Sequence, residues 1–199
     1  MILLETEMIA FIEHWISYLW LAFIVIWWLA AVASKRSVRL QSGGSRLLQS
    51  LIVLIGLIFV FNLGQAITHG WMLRQIVPRT EAWVLAGAAL TVAGMLFSVW
   101  ARAVLGRNWS GRVTIKQDHE LISRGPYAFV RHPIYTGMLA ALLGTALVYG
   151  EARCFAGLLI CGFGLWLKSQ TEEQFMIQQF GEQYAQYRQR VRALVPFVL

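Results

Sequence analysis

Two polar segments interrupt an otherwise apolar chain, and they hold the residues best suited to chemistry. In the first, Arg131-His132-Pro133 directly precedes an apolar stretch. Proline suits the first position of a helix, so His132 is expected at the N-terminal end of that helix. Free backbone N–H groups and the positive end of the helix dipole favour an anion at such a place. The alternative is that Arg131 and His132 only mark the end of a membrane span.

The second polar segment follows the last apolar stretch and contains Lys168, Glu172 and Glu173. Lys168 and Glu172 are four residues apart, so a helix places them on one face. They could form an ordinary ion pair at a helix end, which contributes little to stability. We expect a functional site instead, because ionisable groups at a membrane boundary are typical of one.

The elements that must bring the two segments together are the short apolar stretches 134–149 and 154–167. Only four residues, Gly150-Glu151-Ala152-Arg153, separate them, and the sequence predicts a tight helical hairpin. Small residues on both helices are expected to let the two helices approach each other closely. These residues are Gly137, Ala141 and Thr145 on the first helix and Gly157, Cys161 and Gly164 on the second.

Counting from the tip of this hairpin predicts which polar residues meet. His132 lies 19 residues before Glu151, and Glu172 lies 21 residues after it. Two antiparallel helices of nearly equal length return to the same height. We therefore expect His132, Tyr135, Lys168 and Glu172 to converge at the open end of the hairpin.

Composition places the whole chain in a membrane. Of 199 residues, 58% are hydrophobic and 14% are charged, against about 45–50% and 25% in soluble domains. Such a chain is too apolar and aromatic to be disordered, and it has too little polar surface for a soluble globule. Its two cysteines exclude a disulfide-rich module. We expect one integral membrane domain, residues 1–199, surrounded by membrane lipids.

Three further apolar stretches, 15–33, 47–67 and 83–105, reach the roughly 20 residues that a bilayer requires. The fold expected is therefore all-α, a polytopic membrane protein with about five transmembrane helices and a C-terminal helical hairpin. Beyond Glu173, aromatic residues recur on one side of a helix, which predicts a cytoplasmic amphipathic helix. That helix could close a ligand pocket as a lid, or only anchor the tail.

Charge orients the chain. Residues 1–14 contain no Lys or Arg, so no cleavable signal peptide is expected. With five spans, the Arg-rich loops and the C-terminal tail fall on one side, and the positive-inside rule makes that side the cytoplasm. The same rule accounts for the net charge of +7 without a nucleic-acid partner. A bacterial inner membrane and an endoplasmic reticulum fit equally well.

A metal site is not expected. The four histidines are scattered, and no zinc-ligand spacing occurs. Cys154 and Cys161 are about 10 Å apart along one helix, too far for a disulfide. We expect both cysteines to be packing residues.

In combination, the polar motifs resemble the isoprenylcysteine carboxyl methyltransferase family over residues 105–197. The resemblance is carried by His119-Glu-Leu-Ile122, Gly125-Pro-Tyr127, Arg131-His-Pro-Ile-Tyr-Thr-Gly137, Glu172-Glu173 and Phe180-Gly-Glu-Gln-Tyr-Ala-Gln-Tyr187. It implies a multi-pass membrane enzyme that uses S-adenosylmethionine to methylate the C-terminal carboxylate of a prenylated cysteine. Residues 1–104 would then supply three N-terminal spans, and residues 105–199 the cofactor-binding and catalytic half.

The resemblance also implies roles for individual residues. Lys168 stands where the family usually has a substrate-facing arginine, and Lys168 and Glu172 are the implied catalytic residues. The implied cofactor-binding residues are His119, Glu120, Leu121, Ile122, Tyr127, His132, Pro133, Ile134, Tyr135 and Glu172.

Three alternatives remain open from the sequence. The acceptor could be another lipid or small molecule instead of a prenylcysteine, although it would still be a lipophilic substrate that enters from the bilayer. The chain could be an NADPH-dependent membrane reductase of the sterol-reductase type, with Arg107, Arg112 and Arg131 near the extra phosphate. It could also be a small channel or assembly subunit, although we expect no polar residues to line the middle of any span.

Overall fold

Five long helices form the bulk of the protein. The computed structural model describes residues 2–32, 37–40, 43–63, 69–106, 114–116 and 121–194. The helices are α1 (Ile2–Val32), α2 (Gly43–Phe61), α3 (Glu81–Leu105), α4 (Pro133–Tyr149) and α5 (Ala152–Phe180). By length and apolar composition, α1, α2, α3 and α5 can each cross a membrane. The predicted polytopic helical fold is confirmed, and the chain is a multi-pass membrane protein.

The two helices of the hairpin differ in length. Helix α4 has 17 residues, about 25 Å at the standard rise, which is less than a typical bilayer core. Helix α5 does not stop at the last apolar residue but continues to Phe180. It therefore carries its polar segment as helix. We call the Pro133 and Glu173 end of this hairpin the site end, and the turn over Tyr149–Arg153 the tip.

Short elements also occur among the described residues. Single 3₁₀ turns occupy Gly70–Leu73 and Gly125–Ala128. A short helix in the tail, α6, spans the nine residues Glu182–Arg190. Strands β1 (Ser37–Leu40) and β2 (Thr114–Lys116) form a two-stranded antiparallel ribbon that pairs Leu40 with Thr114. The sequence did not predict this ribbon, because three or four residues are too few for a periodic pattern.

The small residues of the hairpin serve different helices from those predicted. A Cβ atom added to Gly94 of α3 would lie 2.5 Å from the Gly137 carbonyl oxygen and the Ala141 nitrogen of α4. Thr145 faces the same way, since its hydroxyl lies 3.4 Å from that of Thr91 in α3. The expectation that these α4 residues contact α5 is wrong, because the close backbone packing of α4 is with α3.

The small residues of α5 pack in the same manner against α2. A Cβ atom on Gly157 would lie 2.5 Å from the Gly56 carbonyl oxygen, and one on Gly56 would lie 2.5 Å from the Cys161 sulfur. Gly164 lies beside Val53. Both cysteines are buried and unpaired, as expected of packing residues. The hairpin is thus held between two neighbours, with α3 against α4 and α2 against α5.

A buried hydrogen bond joins helix α1 to this arrangement. The Trp20 indole N–H donates to the Thr145 hydroxyl over 3.0 Å. Many apolar side chains on the outer faces of the helices are exposed, among them Trp28, Leu96 and Leu159. In a membrane these faces contact lipid, which explains why a helix bundle can leave them uncovered.

The tip of the hairpin is closed by the segment before α3. Gly150 takes the left-handed conformation, with φ 67°. Its carbonyl oxygen accepts from the Ile76 N–H over 2.7 Å, and the Ala152 N–H donates to the Arg74 carbonyl over 2.9 Å. The buried Arg153 guanidinium donates to the carbonyls of Phe59 and Val60 over 2.8 and 2.6 Å. These carbonyls lie in the last turn of α2, where helix carbonyls lack partners of their own.

Candidate active site

At the site end, an imidazole lies between two carboxylates. His132 immediately precedes α4, and Glu172 and Glu173 are neighbours on α5. The His132 Nδ1 atom is 3.3 Å from Glu172 Oε2, and its Nε2 atom is 3.3 Å from Glu173 Oε1. The two predicted polar segments therefore meet at the height that the residue count required.

Glu173 is the buried member of the carboxylate pair. Its side chain is 3% exposed. The Arg131 guanidinium donates from Nε to Glu173 Oε1 over 2.8 Å, and its terminal nitrogen is 2.7 Å from the same oxygen. Arg188 of α6 lies 3.2 Å from Oε2, without hydrogen-bond geometry. Two arginines and the imidazole thus surround one carboxylate, which compensates for its burial.

Glu172 is more accessible, with a side chain 24% exposed. The Tyr135 hydroxyl donates to its Oε1. The Tyr135 ring is stacked on His132, with centroids 5.6 Å apart and an angle of 6° between the rings. Lys168 Nζ lies 5.5 Å from the centre of the same ring. One partly exposed carboxylate therefore stands beside an aromatic surface and a cation.

Local sequence explains why His132 takes this position. Pro133 begins α4, and His132 takes a non-helical conformation with φ −121° and ψ 60°. Its side chain makes no capping bond to the helix and turns to the two glutamates instead. The proline tolerates this start because it has no N–H to satisfy.

The C-terminal segment covers the same helix start. The N–H groups of Arg131 and His132 donate to the carbonyls of Arg192 and Ala193 over 2.7 and 3.0 Å. The Thr136 hydroxyl donates to the Leu194 carbonyl over 2.6 Å. The His132 N–H, at the helix start where the sequence favoured an anion, is therefore already used by the chain itself.

The aromatic residues of the tail face the protein. Tyr184 is 3% exposed, and the Tyr187 hydroxyl donates to the Tyr127 carbonyl over 2.6 Å. Helix α6 thus packs its tyrosines on the site end and leaves Arg190 exposed. The lid role that the sequence left open stays a prediction.

The other predicted cofactor residues lie nearby or outside the described residues. Tyr127, Ile134 and Tyr135 are buried in one apolar cluster, against which Ile122 packs. Pro133 is fully buried, and Leu121 is half-buried. His119 and Glu120 fall outside the described part of the chain, and so do Arg107 and Arg112.

Electrostatics at the site follow from burial and from the glutamates. Burial alone would lower the pKa of His132, but hydrogen bonds and charge from Glu172 and Glu173 outweigh it and raise that pKa above its ordinary value. Burial, with the added charge of Glu172, raises the pKa of Tyr127. Tyr127 is therefore a neutral hydrogen-bonding group at any physiological pH.

Sequence reasoning missed the partners of Glu173. Arg131 was interpreted only as a boundary residue or a phosphate ligand, yet it is bound to Glu173 and to the carbonyls of Arg188 and Val191. This use leaves it unsuited to the phosphate of NADPH. A signal was present, since two adjacent carboxylates facing an Arg-His pair suggest two ion pairs instead of one.

Metal binding finds no support in the described ranges. Within them, no group of three His, Cys, Asp or Glu side chains could hold a metal ion. His132, Glu172 and Glu173 instead bond to one another and to arginine and tyrosine. Chemically, the site can offer an acceptor for hydrogen bonds or cations at Glu172, an aromatic face at Tyr135, and an ammonium group at Lys168.

Comparison with known proteins identifies relatives of this chain. The profile of a family described as phospholipid methyltransferase matches residues 82–183. Protein-S-isoprenylcysteine O-methyltransferase of Schizosaccharomyces pombe is 35% identical over 99 residues, 47% of this chain and 41% of that protein. Protein-S-isoprenylcysteine O-methyltransferase B of Arabidopsis thaliana is 30% identical over 115 residues, 56% of this chain and 58% of that protein. The chain spans about half the length of the curated relatives it matches.

A solved structure shares the fold. It is that of a eukaryotic intramembrane Ras methyltransferase, an isoprenylcysteine carboxyl methyltransferase, with a TM-score of 0.51 and 20% identity. The match covers 79% of this chain and 54% of the other. Together with the named relatives, it confirms the resemblance seen in the sequence motifs.

The family profile contains the whole of α4 and α5, and with them Arg131, His132, Lys168, Glu172 and Glu173. It also covers just over half of the chain. The chain belongs to the phospholipid methyltransferase family.

Proposed function

We propose that the protein transfers a methyl group from S-adenosylmethionine to a lipophilic acceptor at the site end, and that the acceptor is the C-terminal carboxylate of a prenylated cysteine. The single observation that carries this proposal is the contrast between the two glutamates. Glu173 is buried and surrounded by cations, whereas Glu172 is one-quarter exposed beside Tyr135 and Lys168. The names of the curated relatives support the same acceptor.

The residues present fit S-adenosylmethionine. Its ammonium and ribose hydroxyls are donors that suit Glu172, and its aromatic base suits the buried ring cluster around Tyr127 and Tyr135. When bound, the cofactor supplies an electrophilic methyl group on a sulfonium. His119, Glu120, Leu121, Ile122, Pro133 and Ile134 complete the proposed cofactor-binding set.

The chain's own part in the reaction is to orient the reactants and exclude water. A carboxylate acceptor is already ionised at neutral pH, so no general base is required. Lys168 is the proposed substrate-binding cation, and its ammonium group orients the acceptor carboxylate one helical turn before Glu172. The rate then depends on holding the acceptor oxygen in line with the methyl group.

The position of the site determines how the acceptor arrives. The site end closes two membrane helices whose outer faces are apolar and exposed, as at Phe163 and Trp166 of α5. A prenyl chain can remain in the lipid while its carboxylate reaches Lys168. We further propose that the site end faces the cytoplasm, in agreement with the positive-inside rule.

Calorimetry on the purified protein in detergent tests the cofactor. S-adenosylmethionine and its demethylated product should bind, and NADPH should not. Binding of NADPH alone would overturn the methyltransferase in favour of the reductase.

The acceptor is tested separately, with an N-acetylated farnesylcysteine and radiolabelled methyl donor. A base-labile methyl ester is expected as the product. If the cofactor binds and no ester forms, the carboxylate acceptor is wrong, and a panel of lipid amines and thiols becomes the next set of substrates.

A further inference from the structure

Both ring nitrogens of His132 face carboxylate oxygens. Nδ1 is 3.3 Å from Glu172, and Nε2 is 3.3 Å from Glu173. A neutral imidazole has one N–H, so its second nitrogen would present a lone pair to a carboxylate lone pair. Only the imidazolium form donates in both directions. With both carboxylates ionised, the geometry of the site favours a buried histidine cation.

Several groups around His132 influence this charge. Glu172 and Glu173 face it from α5, and Tyr135 of α4 is stacked on its ring. The opposing positive charges are indirect: Arg131 and Arg188 reach His132 only through Glu173, and Lys168 lies over Tyr135. The two nearest charges are both negative, and they outweigh the burial of the ring.

An imidazolium cannot take up a further proton, so His132 is not a general base. Its Nδ1 atom instead fixes Oε2 of Glu172, while the Tyr135 hydroxyl fixes Oε1. The orientation of the imidazole depends in turn on its other nitrogen, and this nitrogen is held by Glu173.

We propose that Glu173 is a positioning residue, which keeps His132 cationic and so fixes the Glu172 carboxylate towards the cofactor. The cofactor part of this inference rests on the proposed function. The charge of His132 does not, because it follows from the contacts of the protein alone. Glu173 thus acts on bound ligand through two intervening groups and without touching it.

A purely structural role must be separated from this one, since Glu173 also holds Arg131 and Arg188. Arg188 offers a matched control. Its side chain is half exposed and approaches only Oε2 of Glu173, whereas His132 faces Oε1. Arg188→Gln therefore loosens the tail and leaves the His132–Glu173 contact in place.

The first measurement is the ¹⁵N chemical shifts of the imidazole nitrogens in histidine-labelled protein without cofactor. His132→Gln identifies the signals among the four histidines. At pH 7.5 we expect both nitrogens of His132 to be protonated. Glu173→Gln should lower the midpoint of its titration by about one to three pH units, the effect of removing one opposite charge. Arg188→Gln should not lower it.

One unprotonated and one protonated ring nitrogen of His132 in the wild-type protein at pH 7.5 would overturn the inference, even if Glu173→Gln fails to fold. An unchanged midpoint in a folded Glu173→Gln protein would do the same.

The second measurement is the affinity for S-adenosylhomocysteine between pH 6 and 9. Affinity should decrease as His132 loses its proton, and Glu173→Gln should move this decrease to lower pH. Equal losses in Glu173→Gln and Arg188→Gln, without any move along the pH axis, would reduce Glu173 to a tail anchor. Failure of wild-type protein to bind at any pH would contradict the proposed function and the cofactor role together, and the ¹⁵N shifts would still decide the charge of His132.

Discussion

The two ends of the α4–α5 hairpin are built from similar parts and differ in what those parts leave available. At each end a distant segment adds backbone hydrogen bonds to the hairpin: residues 74–77 at the tip and residues 192–194 at the site end. At each end a buried arginine binds both a glutamate and main-chain carbonyls. These are Arg153 with Glu151 at the tip, and Arg131 with Glu173 at the site end.

The difference is one additional carboxylate. At the tip, the single glutamate next to Arg153 is paired with it. At the site end, Arg131 and Arg188 form ion pairs with Glu173. The second carboxylate, Glu172, contacts His132 and Tyr135 and keeps part of its surface exposed. A charge that closes a helix end therefore stabilises the fold, whereas a charge held in place by neutral and cationic donors at an open end is available to a ligand.

The largest effect is expected at the tip. Arg153→Met leaves the carbonyls of Phe59 and Val60 without their donor and Glu151 without its partner. We expect the free energy of unfolding to fall by about 3 kcal/mol. Unfolding in mixed micelles measures this loss, and cofactor affinity of the folded protein should not change. Arg74→Met, at an exposed tip arginine, is the matched control, and similar losses in both variants would contradict the assignment.

At the site end the corresponding substitution should affect binding and spare the fold. Glu172→Gln removes a charged acceptor, so affinity for S-adenosylhomocysteine should fall by about 2 kcal/mol, roughly 30-fold. Calorimetry measures this, with Glu182→Gln on the exposed side of α6 as the control. If Glu172→Gln instead lowers the free energy of unfolding strongly and leaves the affinity unchanged, Glu172 stabilises the fold as Glu151 does at the tip.

The turn itself provides a smaller test of the tip. Gly150→Ala forces a left-handed conformation on alanine and places its Cβ atom 2.5 Å from the Val77 carbonyl oxygen. We expect a loss of about 1.5 kcal/mol in unfolding free energy. Gly162→Ala on α5 is the control, because its nearest neighbour is Leu139 Cδ2 at 3.8 Å and its backbone is helical. Equal unfolding free energies of the two variants would contradict this prediction and show that the turn adjusts to the added Cβ atom.

Substitution of Lys168 tests whether Lys168 binds the acceptor while Glu172 binds the cofactor. Lys168→Ala should raise the acceptor KM about tenfold, or about 1.4 kcal/mol, and leave affinity for S-adenosylmethionine nearly unchanged. Lys168→Arg should keep the activity, since it retains the charge. If the alanine variant loses cofactor affinity instead, Lys168 belongs to the cofactor site.

The smallest expected effect is a pH dependence confined to the site end. Contacts with Glu172 and Glu173 raise the pKa of His132, so its contribution to stability is complete below its ordinary pKa of about 6.5. That contribution is lost as pH rises through the raised value. Hydrogen exchange, corrected for the intrinsic pH effect, should show weaker protection of the Arg131 and His132 amides at high pH. The Ile76 and Ala152 amides at the tip should keep their protection, and a uniform change would contradict the comparison.

Much of the site could be predicted because it depends on counting along helices. Nearly equal distances from Glu151 placed His132 and Glu172 at one height, and both residues meet there. Which helices the small residues contact could not be predicted in this way. Gly137 and Gly157 have the same chemistry, yet they face α3 and α2 and not each other. Small residues indicate close approach without indicating the partner, because any helix backbone fits against them.

The sequence by itself determined the spans, the hairpin and the polar composition of its two ends, because apolar runs, a glycine turn and a proline start act locally. Only the tertiary structure decided which of two adjacent glutamates is buried. Neighbours on a helix point about 100° apart, and their surroundings depend on the rotation of α5 against its neighbours. The cover formed by residues 188–194 was likewise decided by tertiary contacts, since main-chain carbonyls, which carry no sequence signature, accept from Arg131 and His132.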